Sequence, residues 1–186
     1  MAIESARKIK ALIVDDSALI RSLLTEILTA SGKIQVVGAA EDPFDAREQI
    51  KLLNPDVITL DIEMPKMNGI SFLKNLMRLR PMPVVMISTL THAGAPATLE
   101  ALSLGAVDFV GKPKQESGVS LSNQAGIIVE KVLAAAGANV TTLASAPKAV
   151  VPFSLAGKTL KPNFICAIGA STGGTEAIKA VLSQMP

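Results

Sequence analysis

One cysteine and one histidine occur among the 186 residues. A single thiol excludes an intrachain disulfide. Cys166 lies inside the apolar run Phe164 to Ile168 and reads as a packing residue. Long hydrophobic runs are missing too: no stretch reaches the roughly 18 consecutive apolar residues of a membrane span. The first apolar run, Ala11-Leu12-Ile13-Val14, is too short for a signal-peptide core and leads directly into two aspartates. A large excess of charge of either sign is also lacking. A net +2 does not by itself call for a nucleic-acid partner. These absences imply a cytoplasmic protein with no membrane insertion and no nucleic acid among its partners.

Hydrophobic residues make up 49% of the chain and charged residues 18%, which requires a packed core rather than disorder. The length suits one domain, or one domain with an appendage. Short apolar runs rich in β-branched residues recur at 11–14, 34–37, 57–60, 84–87 and 108–110. Four of them lack polar alternation, as strands buried on both faces do. Between them lie helical patterns. Leu19, Leu23, Leu24, Ile27 and Leu28 share one face, with Ser17 as N-cap and Gly32 as the stop. Asp42-Pro43 opens a second helix and Asn54-Pro55 closes it. A third face carries Ile70, Leu73, Leu76 and Met77, and a fourth helix runs through Leu99 and Leu102 to Gly105. Leu121, Ala125, Ile128, Val132 and Ala136 then recur at spacings of four and three, which predicts a fifth helix. The five βα repeats predict an α/β fold, a doubly wound parallel sheet.

From 138 to 162 the periodicity is lost in a stretch rich in Ala, Ser, Thr and Pro, which reads as a linker. Residues 163–186 resume with a strand, a glycine-rich turn and a helix start. They are too few to bury a core of their own and read as the beginning of a second α/β unit. The expected division is therefore 1–137, 138–162 and 163–186.

Sites in open parallel sheets form beyond the carboxyl ends of the strands. Asp15 and Asp16 follow the first strand, Asp61 the third, Ser88 ends the fourth and Lys112 follows the fifth. Three carboxylates in one crevice repel one another unless a cation neutralises them, and oxygen ligands with room for water favour Mg²⁺. A carboxylate beside such a cation can attack a phosphoryl group, while an ammonium stabilises the equatorial oxygens and a Ser88 hydroxyl donates a hydrogen bond. Each residue alone could cap a helix or sit on the surface. The ordered set, each member at the same end of its strand, makes that reading untenable.

The motifs Val14-Asp15-Asp16-Ser17, Leu60 to Pro65 followed by Met67-Asn68-Gly69, and Gly111-Lys112-Pro113 resemble those of bacterial two-component receiver domains. That resemblance implies a flavodoxin-like five-stranded sheet in the order 2-1-3-4-5. It implies Asp61 as phosphoacceptor, and Mg²⁺ held directly by Asp16 and Asp61, largely through water by Asp15, and by the backbone carbonyl of Glu63. Lys112 would pair with the phosphoryl group, positioned by a cis bond to Pro113. Phe109 would be the switch aromatic, and a histidine kinase the phosphoryl donor.

Gly169-Ala170-Ser171-Thr172-Gly173 satisfies the G-x-S-x-G pattern of a nucleophile elbow, between a strand and a helix. A tight turn or a phosphate cradle uses similar residues. Ser171 occupies the second glycine position of the dinucleotide pattern, however, and the Gly-Lys-Ser/Thr of a phosphate loop is missing. The order receiver, linker, elbow resembles the chemotaxis protein-glutamate methylesterase family. Members hydrolyse glutamyl methyl esters on chemoreceptors and deamidate certain receptor glutamines. The resemblance implies Ser171 as nucleophile, the Thr172 amide as oxyanion donor, and an intramolecular catalytic domain obstructed by the unphosphorylated receiver. Methylated chemoreceptors would be its substrates. The family's catalytic histidine and aspartate are expected beyond Pro186. His92 does not match that histidine, so the chain by itself is expected to be phosphorylatable but esterase-inactive. The rival reading is a non-enzymatic response regulator acting by phosphorylation-dependent binding, and a third is a nucleotide-binding second domain.

Overall fold

A computed structural model describes residues 7–89, 95–112, 121–140, 168, 178 and 181–183. Five strands, β1 Ile9–Val14, β2 Ile34–Ala40, β3 Val57–Leu60, β4 Val84–Ser88 and β5 Asp108–Gly111, alternate with α1 Ala18–Ala30, α2 Pro43–Leu53, α3 Gly69–Leu79, α4 Pro96–Ser103 and α5 Ala125–Ala136. A short 3₁₀ turn, Leu121–Gln124, leads into α5. All strand pairs are parallel, in the order β2-β1-β3-β4-β5. The expected doubly wound sheet is present.

Alternating side chains divide the core between the two faces of the sheet. Leu12, Ile58, Leu60 and Met86 pack with Ile50 of α2 and Leu73 and Met77 of α3. Ala11, Ile13, Val57 and Val85 pack with Leu24 and Leu28 of α1 and Ile128 and Val132 of α5. Strands β3 and β4 are buried along their whole length, since neighbours pair on both sides and helices cover both faces. The edge strand β5 is only partly buried.

Helix ends follow local chemistry. Ser17 accepts from the Ile20 amide at the start of α1, and Gly32, at φ +69°, supplies the left-handed turn after it. Asp42 accepts from the amides of Phe44 and Asp45, with Pro43 in the first turn, and Asn54 closes α2 in the left-handed conformation.

Two apolar faces differ from expectation. Leu19 is 75% exposed, and the buried stripe of α1 consists of Leu24, Ile27 and Leu28. In α4 the buried residues are Thr98 and Ala101, while Leu99 is 49% exposed. With only eight residues, α4 presents two turns to the sheet, and small side chains suit its close approach. Strand β2 runs on through Gly38 to Ala40, beyond the expected stop at 37, with a register shift opposite Ala11/Leu12. Glycine and alanine hide a strand from propensity reading, and the irregularity breaks its pattern. No helix among the described residues is long and apolar enough to cross a membrane.

These positions should separate sharply in urea unfolding. Ile58→Ala, at a fully buried site, is expected to cost about 2–5 kcal/mol. Leu19→Ser is expected to stay within about 0.5 kcal/mol of the parent. A large loss at Leu19 would contradict its placement on the solvent side of α1.

Candidate functional site

The carboxyl ends of β1 and β3 lie side by side, because the Asp61 amide donates to the Val14 carbonyl at 3.0 Å and continues the ladder. Asp15 and Asp61 therefore enter one crevice, buried to 1% and 5% exposure, with the exposed Asp16 beside them. One carboxylate oxygen from each of the three lies within 4.8 Å of the others. Lys112 follows β5, where its amide donates to the Ser88 carbonyl at 3.0 Å. Its Nζ donates to Asp15 Oδ2 and to Asp61 Oδ2, each at 2.6 Å. The structure thus brings Asp15, Asp16, Asp61 and Lys112 together.

The other oxygens are held by backbone. Asp15 Oδ1 accepts from the Ser17 amide at 3.0 Å. Asp61 Oδ1 accepts from the amides of Ile62 at 2.6 Å and Glu63 at 3.3 Å. Burial raises the pKa of Asp15, and Lys112 only partly offsets this. Lys112 shows the opposite balance. Burial alone would lower its pKa, but its hydrogen bonds to Asp15 and Asp61 and their charges carry it upward. The ammonium is therefore retained at neutral pH, set between two carboxylates.

The loop from Asp61 to α3 is shaped around a glycine. The Gly69 amide donates to the Ile62 carbonyl at 2.8 Å, and a Cβ on Gly69 would lie 1.9 Å from the Asp61 carbonyl oxygen. Lys66 in the same loop adopts a left-handed φ of +68° and reaches Asp42 at 2.5 Å. That contact lowers the pKa of Asp42, first through the hydrogen bond from Lys66 and then through the amides at the head of α2.

Ser88 is fully buried at the end of β4. Phe109 is partly buried, paired with Met86, and its ring lies 4.9 Å from Lys131 Nζ. The Glu63 side chain is turned outward and accepts from the Thr89 hydroxyl. His92, Pro113, Cys166, Ser171 and Thr172 lie outside the described residues. Sequence reading missed several ties. Arg21 donates to the carbonyls of Asp15 and Asp16 at 2.9 Å each, and Lys131 donates to Asp108 Oδ1 and the Phe109 carbonyl at 2.8 Å each. Their one signal was a basic residue on a helix flanking an acidic strand end.

This arrangement coincides with a known family: the response regulator receiver domain matches residues 11–121. The chain belongs to the response regulator receiver family. It is 44% identical to the response regulator domain of Thermotoga maritima CheB, with a TM-score of 0.67, covering 72% of this chain and 99% of that one. It is 65% identical over 183 residues to a protein-glutamate methylesterase/protein-glutamine glutaminase 2 of Saccharophagus degradans, covering 97% of this chain and 53% of the relative. A protein-glutamate methylesterase/protein-glutamine glutaminase 1 of Xanthomonas euvesicatoria is 56% identical over 186 residues, covering 96% and 52%. The chain spans about half the length of these curated relatives. The receiver match stops at 121, yet Ile128 and Val132 are buried in the core, so α5 is structurally part of this receiver.

Two substitutions test the loop. Gly69→Ala forces the Asp61 carbonyl to move and is expected to destabilise the fold by about 1–3 kcal/mol. Asp42→Asn keeps an N-cap side chain but removes its charge. Because the folded pKa of Asp42 is depressed, its contribution is present above the ordinary aspartate value of about 3.9 and is lost as pH falls through the lower folded value. The Tm gap between parent and Asp42→Asn should therefore be widest near neutrality and close in acid. A gap independent of pH would contradict the pairing with Lys66.

Proposed function

We propose that this receiver accepts a phosphoryl group on Asp61 and thereby controls a linked protein-glutamate methylesterase. The observation that carries the first half is the Lys112 ammonium bridging Asp15 and Asp61 at 2.6 Å on each side, with the Asp16 carboxylate in the same cluster as those two. A surface ion pair has no use for three converging carboxylates. A phosphoryl-transfer site does, because it must hold a cation and a dianion together.

The donor set fits a hard divalent cation, being carboxylate oxygens open to water on the Asp16 side. Asp15, Asp16, Asp61 and the Glu63 carbonyl would hold Mg²⁺, which when bound offsets charge on the phosphoryl oxygens. Asp61 supplies the nucleophile. Its Oδ1 is oriented by the Ile62 and Glu63 amides, leaving Oδ2 on the Lys112 side. A carboxylate oxygen attacks phosphorus, the bond to the donor's leaving group breaks, and an acyl phosphate forms. Lys112, kept protonated by its surroundings, stays beside the phosphoryl oxygens. On this reading Ser88, at the end of β4, would donate a hydrogen bond to the phosphoryl group. The donor is read as a chemotaxis histidine kinase, and the setting as cytoplasmic.

Support for the second half comes from the names of the long relatives and from the G-x-S-x-G turn. On this reading residues 1–137 are the receiver, 138–162 the linker and 163–186 the start of the catalytic domain. Ser171 attacks a glutamyl methyl ester or glutamine amide of a chemoreceptor, and the Thr172 amide receives the oxyanion. Phosphorylation biases a two-state element including Ser88 and Phe109, and so loosens the receiver from the catalytic domain.

Acetyl phosphate with Mg²⁺ is expected to label the parent chain and not Asp61→Asn. Labelling of that variant at the parent level would overturn the assignment. Lys112→Ala is expected to retain its Asp61 nucleophile yet lose the coupled change in Phe109 on labelling, read by ¹⁹F NMR of fluorophenylalanine-substituted protein. The 186-residue chain alone is expected to turn over no methylated receptor, and Ser171-dependent turnover would refute that.

A further inference from the structure

A groove of about 400 Å³ lies between α2 and α3, away from the acidic crevice. Its floor is the edge of the core: Ile50, Phe72 and Leu76. Its rim is unusual for a solvent face, since Phe44 on α2 is 55% exposed and Leu79 on α3 is 69% exposed. Neither residue is needed to close the core, and together they flank a concave apolar surface.

The charged residues that line the groove are all of one sign. Its lining includes Arg47, Lys51, Arg78 and Arg80, and no aspartate or glutamate. Two of the four are engaged: Lys51 pairs with Glu48 at 2.8 Å, and Arg80 donates to the Ile50 carbonyl at 3.0 Å and to Asn54. Arg47 on α2 and Arg78 on α3 are exposed, and neither has a hydrogen bond or ion pair among the described residues. The apolar channel is thus lined from both helices by a free guanidinium, the group best suited to gripping carboxylates bidentately.

We propose that this groove docks an acidic amphipathic segment of a partner protein, placing one or two bulky apolar side chains between Phe44 and Leu79 and carboxylates against Arg47 and Arg78. Charge decides against the other occupants at hand. The chain's own 138–162 stretch carries Lys148, Lys158 and Lys161 and no acidic residue, so it has the wrong sign. A symmetric contact with a second copy would set each groove's arginines against their equivalents. Met67, on the groove lining, belongs to the loop that starts at Asp61, so the occupant touches the segment carrying the phosphoacceptor without entering its crevice.

The test is a titration of isotope-labelled 186-residue chain with a synthetic helical peptide bearing Leu and Phe on one face and Glu on the rest. Saturable binding is expected, with amide shifts confined to α2, α3 and the loop at Met67. Arg47→Glu with Arg78→Glu should weaken it by about tenfold or more, as should raised salt, and Leu79→Ser should weaken it independently of charge. Asp61→Asn should bind as the parent does, so failure of the phosphoacceptor assignment leaves this result intact. The proposal is overturned if the Glu peptide does not bind saturably, if a Lys-for-Glu or Ser-for-Leu/Phe peptide binds equally well, or if the shifts lie elsewhere. It is equally overturned if single-stranded DNA or phosphatidylserine vesicles bind the groove and the Glu peptide does not, or if the chain self-associates through this face.

Discussion

Three carboxylates held within 4.8 Å of one another cannot all stay ionised without a counter-charge, and the architecture around them is arranged to supply one. The Lys112 ammonium, set against Asp15 and Asp61, is one such charge. It arrives from the far edge of the sheet, 97 positions along the sequence from Asp15. Burial works against both charges: it pushes the Asp15 pKa up and acts to lower that of Lys112. The contacts with Asp15 and Asp61 outweigh that effect and raise the Lys112 pKa. The site is therefore a balance of opposing costs, and one added negative group tips it. A phosphoryl group on Asp61 would be such an addition.

Holding that balance requires rigidity close by. A parallel sheet provides it, because β1 and β3 are paired to their last residues and end at the same level. The loop after Asp61 provides the rest. Gly69 is forced there by a carbonyl oxygen that would stand 1.9 Å from any Cβ. Lys66 ties the same loop to the head of α2, while Arg21 clasps the carbonyls of Asp15 and Asp16 from α1. Each tie enters from a different helix, so the acidic cluster is positioned by the whole domain and not by one local motif.

The sheet and the cluster were legible because their signals are local. An apolar run buried on both faces needs no alternation, and an aspartate immediately after it marks the carboxyl end; β3, at 57–60, was read to its observed bounds. What was missed depends on reach across the fold. Leu19 shares a helical spacing with Leu23 and Ile27, but the buried stripe of α1 is Leu24, Ile27 and Leu28, and Leu19, in the first turn, lies outside it. In α4 the helix rests on Thr98 and Ala101, so apolar bulk pointed to the wrong face. The glycine after Asn68 was visible as part of a motif. The reason only glycine fits appears when the Asp61 carbonyl is placed beside it.

The position of β5 gives the site its outlet. It is an edge strand, hydrogen-bonded to β4 alone, and so it has half the ladder restraint of its neighbours. Lys112 sits at its end, and Phe109 lies three residues earlier on the same strand. Lys131 of α5 is the second restraint, holding the Asp108 carboxylate and the Phe109 carbonyl at 2.8 Å while lying over the Phe109 ring. A new dianion at Asp61 would recruit the Lys112 ammonium from Asp15, and the pull would fall on the strand with the fewest bonds to resist it. An interior strand such as β3 would have to break two ladders to respond. The edge strand could respond by trading one side-chain tether, so the restraint supplied by Lys131 would weigh more than the sheet on any movement of Phe109.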